Sequence, residues 1–378
     1  MKKVVVVKKR RIAIVGCGGM GGGHALAISG KANYGEGVYS VYTQQENGKR
    51  DSDITAKLEL AGIYDIDPRR CEWAASQGFY CYDSFEAVLA DPSVDIVLVA
   101  TPNHLHKEMS IRAMRAGKHV LCEKPVTPTS ADLIEVIAVS KETGKVFYPR
   151  QNRRWDKDFL IIKKIYEENL IGKTFNIESR VHGSRGIPGD WRGVKEYGGG
   201  MMLDWGVHLL DRLLVMVPEK VKRVFCSFTH VTNDEVDDGF KLHMTFESGL
   251  TAVVEVGTCH FIKLPLWFIA GNHGTAMIED WSCAGSMVRL KSWEDKDAKP
   301  ILAGEGLTKT MAPRGENSVE YLELPDVEYD RNELYSNLVD VINGESEQIV
   351  RPEEALRTLR LMEAAFESGE TGRVVNFE

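Results

Sequence analysis

The sequence has no C-x-x-C pair, and its cysteines (Cys17, Cys71, Cys81, Cys122, Cys226, Cys259 and Cys283) are odd in number. Neither a disulfide framework nor a zinc cluster fits that spacing, so reduced, buried thiols are expected. Long apolar runs are missing too, and nothing spans a bilayer. In the opening "MKKVVVVKKRR" the apolar stretch is confined to residues 4–7 before four basic residues, and no A-x-A-like site comes after it. That is too short for a secretory core, and a cytoplasmic protein with no membrane partner is expected. Positive charge is also scarce: Lys and Arg number 47 against 55 Asp and Glu, a net charge of −8. This excludes sequence-independent nucleic-acid binding, which needs a basic face, but not a local phosphate pocket. There is no internal repeat and no long low-complexity tract. What remains is a chain of 378 residues with ordinary hydrophobic content, 43%, too long for one typical core.

Residues 1–150 alternate β-branched runs with amphipathic helical patterns, which predicts a parallel sheet covered by helices. Strands are expected at 11–15, 58–65, 78–82, 94–100, 118–122 and 145–149, with helices between, such as "HKEMSIRAMRAGK". A long insertion, 30–53, separates the first helix from the second strand; a flap near the adenosine end of a cofactor and a solvated loop are both open readings. Residues 151–378 read as α+β: a helix at 156–171, long antiparallel strands between about 221 and 325, and a closing helix begun by Pro352. A hairpin turn is expected at Ser248-Gly249.

"RIAIVGCGGMGGGHALAI" places Gly16, Gly18 and Gly21 in G-x-G-x-x-G spacing, with Gly19 and Met20 inside it, between a strand and a helix. That is the context a dinucleotide cradle requires: a tight turn, close approach of a pyrophosphate, and close helix–strand packing. Asp65, at the end of the second strand, suits a ribose 2′-hydroxyl and favours NAD; nearby Arg69 and Arg70 keep NADP open.

"MLDWGVHLLD" sets Asp204, His208 and Asp211 at i, i+4 and i+7, one face of a helix. Such a stripe faces something polar. Metal ligation lacks an identifiable third and fourth ligand, so no metal is expected. The Gly-rich stretch 182–200 holds His182, Trp191, Arg192 and Tyr197, donors beside aromatic faces that suit a polyhydroxylated ring; an ordinary surface loop is the competing reading.

With these motifs, "VLVATPNHLHKE" and "AGKHVLCEKPVT" complete a set that closely resembles the glucose–fructose oxidoreductase, inositol dehydrogenase and MocA family (Gfo/Idh/MocA) over nearly the whole chain. The resemblance implies an N-terminal Rossmann domain, 1–150, and a C-terminal α+β domain, 151–378, with a mostly antiparallel open sheet whose outer face builds homodimers or homotetramers. It implies that Thr101, Pro102, Asn103 and His106 lie along the cofactor and that Glu123 contacts the nicotinamide ribose. Lys124, Asp204 and His208 would surround the reacting carbon. Arg154 would sit near the nicotinamide amide or the substrate, with Arg153 as the alternative. The expected activity is NAD-dependent oxidation of a secondary hydroxyl of a sugar, sugar derivative or cyclitol. Either His208 or Lys124 takes the proton, and Asp204 hydrogen-bonds the imidazole or a neighbouring substrate hydroxyl. The alternative is an NAD-dependent glycoside hydrolase or lyase, in which oxidation, elimination, water addition and reduction leave no net redox change. That chemistry needs a further acid/base, for which Asp211, Tyr197 and His182 are candidates.

Overall fold

The protein is described from a computed structural model over residues 9–31, 52–293 and 298–378, and nearly all of the 30–53 insertion lies outside the described residues. The first half runs β1 (Arg10–Val15), α1 (Gly19–Ile28), β2 (Leu58–Tyr64), α2 (Pro68–Ser76), α3 (Phe85–Ala90), β3 (Ile96–Val99), α4 (His106–Arg115), β4 (His119–Cys122), α5 (Ser130–Thr143) and β5 (Phe147–Pro149). The strands form one parallel sheet in the order β2-β1-β3-β4-β5. Helices cover both faces, so β3 is buried at every position, as its unbroken Ile-Val-Leu-Val run requires.

Two expectations fail here. Residues 78–82 make no ladder strand, only a bridge between Ile63 and Cys81. Gly78, at φ +72°, ends the return from α2, and Ser84 already caps α3, so too few extended residues lie between them. The same return lays Cys81 beside Cys71 of α2, and the two form a disulfide with their Cα atoms 5.6 Å apart. The other five cysteines form no disulfide among the described residues.

The second half adds α6 (Lys157–Glu167), β6 (Thr174–His182), α7 (Val207–Met216), β7 (Val221–Thr229), β8 (Gly239–Phe246), β9 (Thr251–Gly257), β10 (Trp267–Gly271), β11 (Gly274–Ile278), β12 (Gly285–Leu290), a small hairpin β13 (Ile301–Ala303) and β14 (Gly306–Thr308), β15 (Val319–Leu322), α8 (Glu333–Asn343), α9 (Pro352–Thr371) and β16 (Val375–Asn376). A nine-stranded sheet results, ordered β15-β12-β11-β10-β6-β9-β8-β7-β16; only β6 and β9 pair in parallel. Alternation sends Ile177, Leu242, Val254 and Trp267 inward, against α6, α7 and α9, and leaves Arg180, Lys241 and Glu255 on the outer face.

Helix α8 crosses back. Its Leu334, Tyr335, Leu338 and Val339 share a core with Ile12, Ile14 and Leu58 of the parallel sheet. Polar clasps fix it there: Lys57 donates to Asp340 at 2.6 Å and Arg10 to Asn343 at 2.7 Å. Among the described residues no helix is long and apolar enough to cross a membrane.

Candidate active site

The turn after β1 has the geometry of an anion cradle. Gly16 stands at φ +89°, where a Cβ would lie 2.6 Å from the Ala100 carbonyl oxygen. A Cβ on Gly21 would lie 1.9 Å from the Gly16 oxygen, so α1 can pack this tightly only on glycine. Beside Gly18 nothing comes within 4 Å of where a Cβ would be. Gly18 also leaves the N-terminus of α1 without a side-chain cap, and the first bond back is from Gly22 N–H, at 2.9 Å. Open space before the uncapped N–H groups of Gly19, Met20 and Gly21 fits a pyrophosphate. Asp65 stands beside it, its Oδ2 accepting from Cys17 N–H at 2.6 Å and its Oδ1 from Asp67 N–H at 2.9 Å. Asp67 caps α2 and pairs with Arg69.

Across the cleft, the end of β4 meets the turn before α7. Lys124 Nζ donates to Asp204 Oδ1 and to its main-chain oxygen, both at 2.7 Å. Arg192 Nε donates to the other carboxylate oxygen at 3.2 Å and its NH1 to Asp190 at 2.7 Å. Burial opposes the Asp204 charge, but Lys124 and Arg192 outweigh it and hold the carboxyl below its usual range. His208 is buried, and its Nδ1 has no hydrogen-bond partner among the described residues. Burial first, then Lys124, Arg153, Arg212 and Arg150, push it well below the usual imidazole value, so the ring is neutral.

Asp204 lies in a π-helical turn, Met202–Gly206, not in the regular helix that the spacing predicts. The wider turn rotates the residues after it out of a single stripe. Asp211 therefore leaves the cluster. It lies on the buried side of α7, where Arg154 clasps it through Nε at 2.8 Å and NH2 at 2.6 Å. Arg154 also donates to Glu354 of α9 at 2.7 Å. Both residues are thus corrected: they join α7 to α9 and do not line the cleft.

Other expected contacts are also spent within the protein. His106 is wholly buried, with its nitrogens 2.8 Å from the carbonyls of Thr101 and Pro125, so it fastens one cofactor-side loop to the other. Asn103 donates to Gly198 O at 2.8 Å and ties that loop to the Gly-rich stretch, with half-buried Thr101 and Pro102 beside it. Glu123 Oε1 accepts from His24 at 2.8 Å and from Arg150 at 2.9 Å. Burial would raise its carboxyl, but Arg150 and His24 hold it far below the carboxylate range. His24 in turn contacts the Tyr335 hydroxyl of α8. His182, at the end of β6, shares a face with Arg180 and Glu255 and borders the cavity beside Asp204.

A cavity of about 350 Å³ opens at Asp204, walled by Trp205, Trp281, Arg153, Met201 and the ends of β6 and β9. The Arg153 guanidinium lies over Trp205 at 4.5 Å and Trp281 at 5.4 Å, and its NH1 donates to Asp156 at 2.8 Å. Trp281, from the β11–β12 turn, carries no sequence signal linking it to the site. Arg192 packs over Trp191 at 4.7 Å, and Tyr197 stacks on His104 at 5.2 Å.

Residues 10–151 match the oxidoreductase family model for a Gfo/Idh/MocA NAD-binding Rossmann fold, and residues 159–277 match the Gfo/Idh/MocA C-terminal domain. An NAD-binding protein from Listeria innocua is 47% identical in sequence, covers 98% of this chain and 100% of its own, and superposes with a TM-score of 0.87. The chain is also similar to a scyllo-inositol 2-dehydrogenase (NADP(+)) of Bacillus subtilis, at 27% identity over 78% of this chain and 82% of that protein. A 2,7-anhydro-N-acetylneuraminate hydratase of Escherichia coli is 30% identical over 54% of this chain and 56% of its own length. Of two curated Schizosaccharomyces pombe oxidoreductases the chain spans under half, 47% and 45%.

Proposed function

The chain belongs to the Gfo/Idh/MocA oxidoreductase family, and from that premise we propose that it uses NAD to oxidise a secondary hydroxyl of a sugar, sugar derivative or cyclitol. One observation carries the reading: an ammonium–carboxylate pair, Lys124 and Asp204, opens on a cavity walled by two indoles, one of which, Trp205, meets the neutral imidazole of His208 edge-on at 6.1 Å. Gly16–Gly21 hold the pyrophosphate and Asp65 accepts from a ribose hydroxyl, which favours NAD over NADP. When bound, NAD supplies the hydride acceptor. Lys124, anchored on Asp204, orients the substrate oxygen and stabilises the charge it develops. His208, uncharged at neutral pH, takes the hydroxyl proton. Arg192 keeps Asp204 from turning away. The indoles of Trp205 and Trp281 offer apolar faces to the C–H side of a ring.

The hydratase among the relatives supports a second reading, a redox-neutral cleavage or hydration that begins with the same oxidation. Of the residues considered for its extra acid/base, Asp211 is bound by Arg154, which leaves His182, at the border of the cavity, and Tyr197, stacked on His104.

Incubating the NAD-loaded protein with free sugars, inositols and aryl glycosides, and following NADH and aglycone separately, tests both readings. NADH accumulating with a free sugar or inositol supports the first. Aglycone released without net NADH supports the second. Neither signal, with His208→Ala unchanged in every assay, sinks the catalytic reading.

A further inference from the structure

We propose that His182, Glu255 and His260 hold a divalent transition-metal ion, of the zinc class, at the end of β6 and β9 in the nine-stranded sheet, a site distinct from the Lys124–Asp204 pair although His182 borders the same cavity. The parallel register of β6 on β9 sets Arg180 opposite Glu255 and His182 opposite Gly257, so His182 and Glu255 become neighbours on one face. After β9 the chain folds back: Thr258 O accepts from Gly186 N–H at 2.9 Å and His260 N–H donates to Gly183 O at 2.8 Å. That turn lays the His260 ring flat on His182, with centroids 4.1 Å apart and planes within 5°. Any side chain at Gly257 would collide with it, since a Cβ there would lie 2.1 Å from His260 Cε1.

The three ligand atoms face one another without bonding. His182 Nε2 and His260 Nε2 are each 3.9 Å from Glu255 Oε1, too far for a hydrogen bond. The His182 side chain is 1% exposed, and its Nε2 has no hydrogen-bond partner among the described residues, an arrangement that is costly unless something fills the gap. Zinc takes imidazole nitrogen and carboxylate oxygen at about 2.0–2.2 Å in a tetrahedral shell, which sets ligand atoms roughly 3.3–3.6 Å apart, so an ion draws both imidazoles a few tenths of an ångström toward Glu255 and tilts them out of their stack. Lys241 is the competitor: its Nζ lies 3.1 Å from Glu255 Oε1. It is half exposed and free to swing into solvent, while Arg180 stays on Oε2 at 3.1 Å. The ion would fasten the turn that carries Thr258, a wall of the substrate cavity.

The test uses the full chain, stripped of metal by a chelator, then titrated with Zn²⁺ by calorimetry and with Co²⁺ by visible absorption. One ion per chain is expected, with Co²⁺ bands of nitrogen–oxygen ligation. His260→Gln, at an exposed position, should weaken binding more than about tenfold. Lys241→Ala should tighten it. Zn²⁺ should raise the Tm of the wild type and of Lys241→Ala but not of His260→Gln. No binding by the wild type, or equal affinity in all three proteins (an adventitious ion only), overturns the proposal.

Discussion

Lys124 Nζ sits 2.7 Å from both the carboxylate and the main-chain oxygen of Asp204, so one ammonium joins the end of β4 in the cofactor half to the π turn before α7. Replacing Lys124 by Ala should lower kcat by about 10²–10⁴-fold, the range for a positioned acid–base group, while NAD binding changes only a few-fold. Steady-state rates beside a cofactor titration check this. Equal losses in both would make Lys124 a cofactor anchor instead.

His208 has a pH signature. In the folded chain burial and Lys124 keep the ring neutral, whereas unfolded it titrates near 6.5. Below about pH 6.5 the unfolded chain takes up a proton that the folded one refuses, so this contribution to stability is intact above that pH and is lost as the pH falls. Urea midpoints measured at about pH 7.5 and 5.5 should drop further for the wild type than for His208→Gln. The difference between the two proteins isolates His208 from His24 and His106, which are shifted in the same direction.

Arg154 and Asp211 belong to stability. Removing one partner of a buried, bidentate pair costs about 3–5 kcal/mol. Asp211→Asn should therefore lower the unfolding free energy steeply. At low temperature, where the variant stays folded, NAD affinity and kcat should remain near wild type. A large kcat loss in folded protein would return Asp211 to the active site.

Asp65 should set cofactor choice. Its carboxylate accepts from Cys17 N–H in the cradle and repels a 2′-phosphate. Asp65→Asn should cost NAD roughly tenfold in kcat/KM, about one charged hydrogen bond, and cost NADP less. An unchanged NAD-to-NADP ratio would remove Asp65 from the ribose site.

Local patterns carried most of the architecture. Gly16, Gly18 and Gly21 announce a cradle because the constraint on each is backbone geometry, fixed within a few residues. Ser248-Gly249 and Pro352 are legible for the same reason. Side-chain destinations were harder to read. Asp204, His208 and Asp211 form one stripe on a regular helix, and a π turn that no residue in "MLDWG" advertises divides them. Arg154 and Arg153 are adjacent and identical in type, so only the packing of α9 tells which one is buried on Asp211 and which lies over Trp205. His182 has a donor's chemistry, but strand alternation sets it on a face with Arg180 and Glu255. Cys71 and Cys81 meet through a return that ordinary spacing rules do not capture.

The return of α8 bears on how the protein is made. The parallel sheet is translated first, yet Leu334, Tyr335, Leu338 and Val339 are among the residues that close its core. Until α8 has been made, the part of the β1–β2 face that α1 leaves uncovered lacks its apolar lid, and His24 lacks its Tyr335 contact. The cofactor half therefore matures last although its code comes first, and contacts this far apart in sequence slow its final closure. Nascent chains stalled before α8 should be caught by chaperones and cut by proteases within the first sheet, and release past α9 should end both.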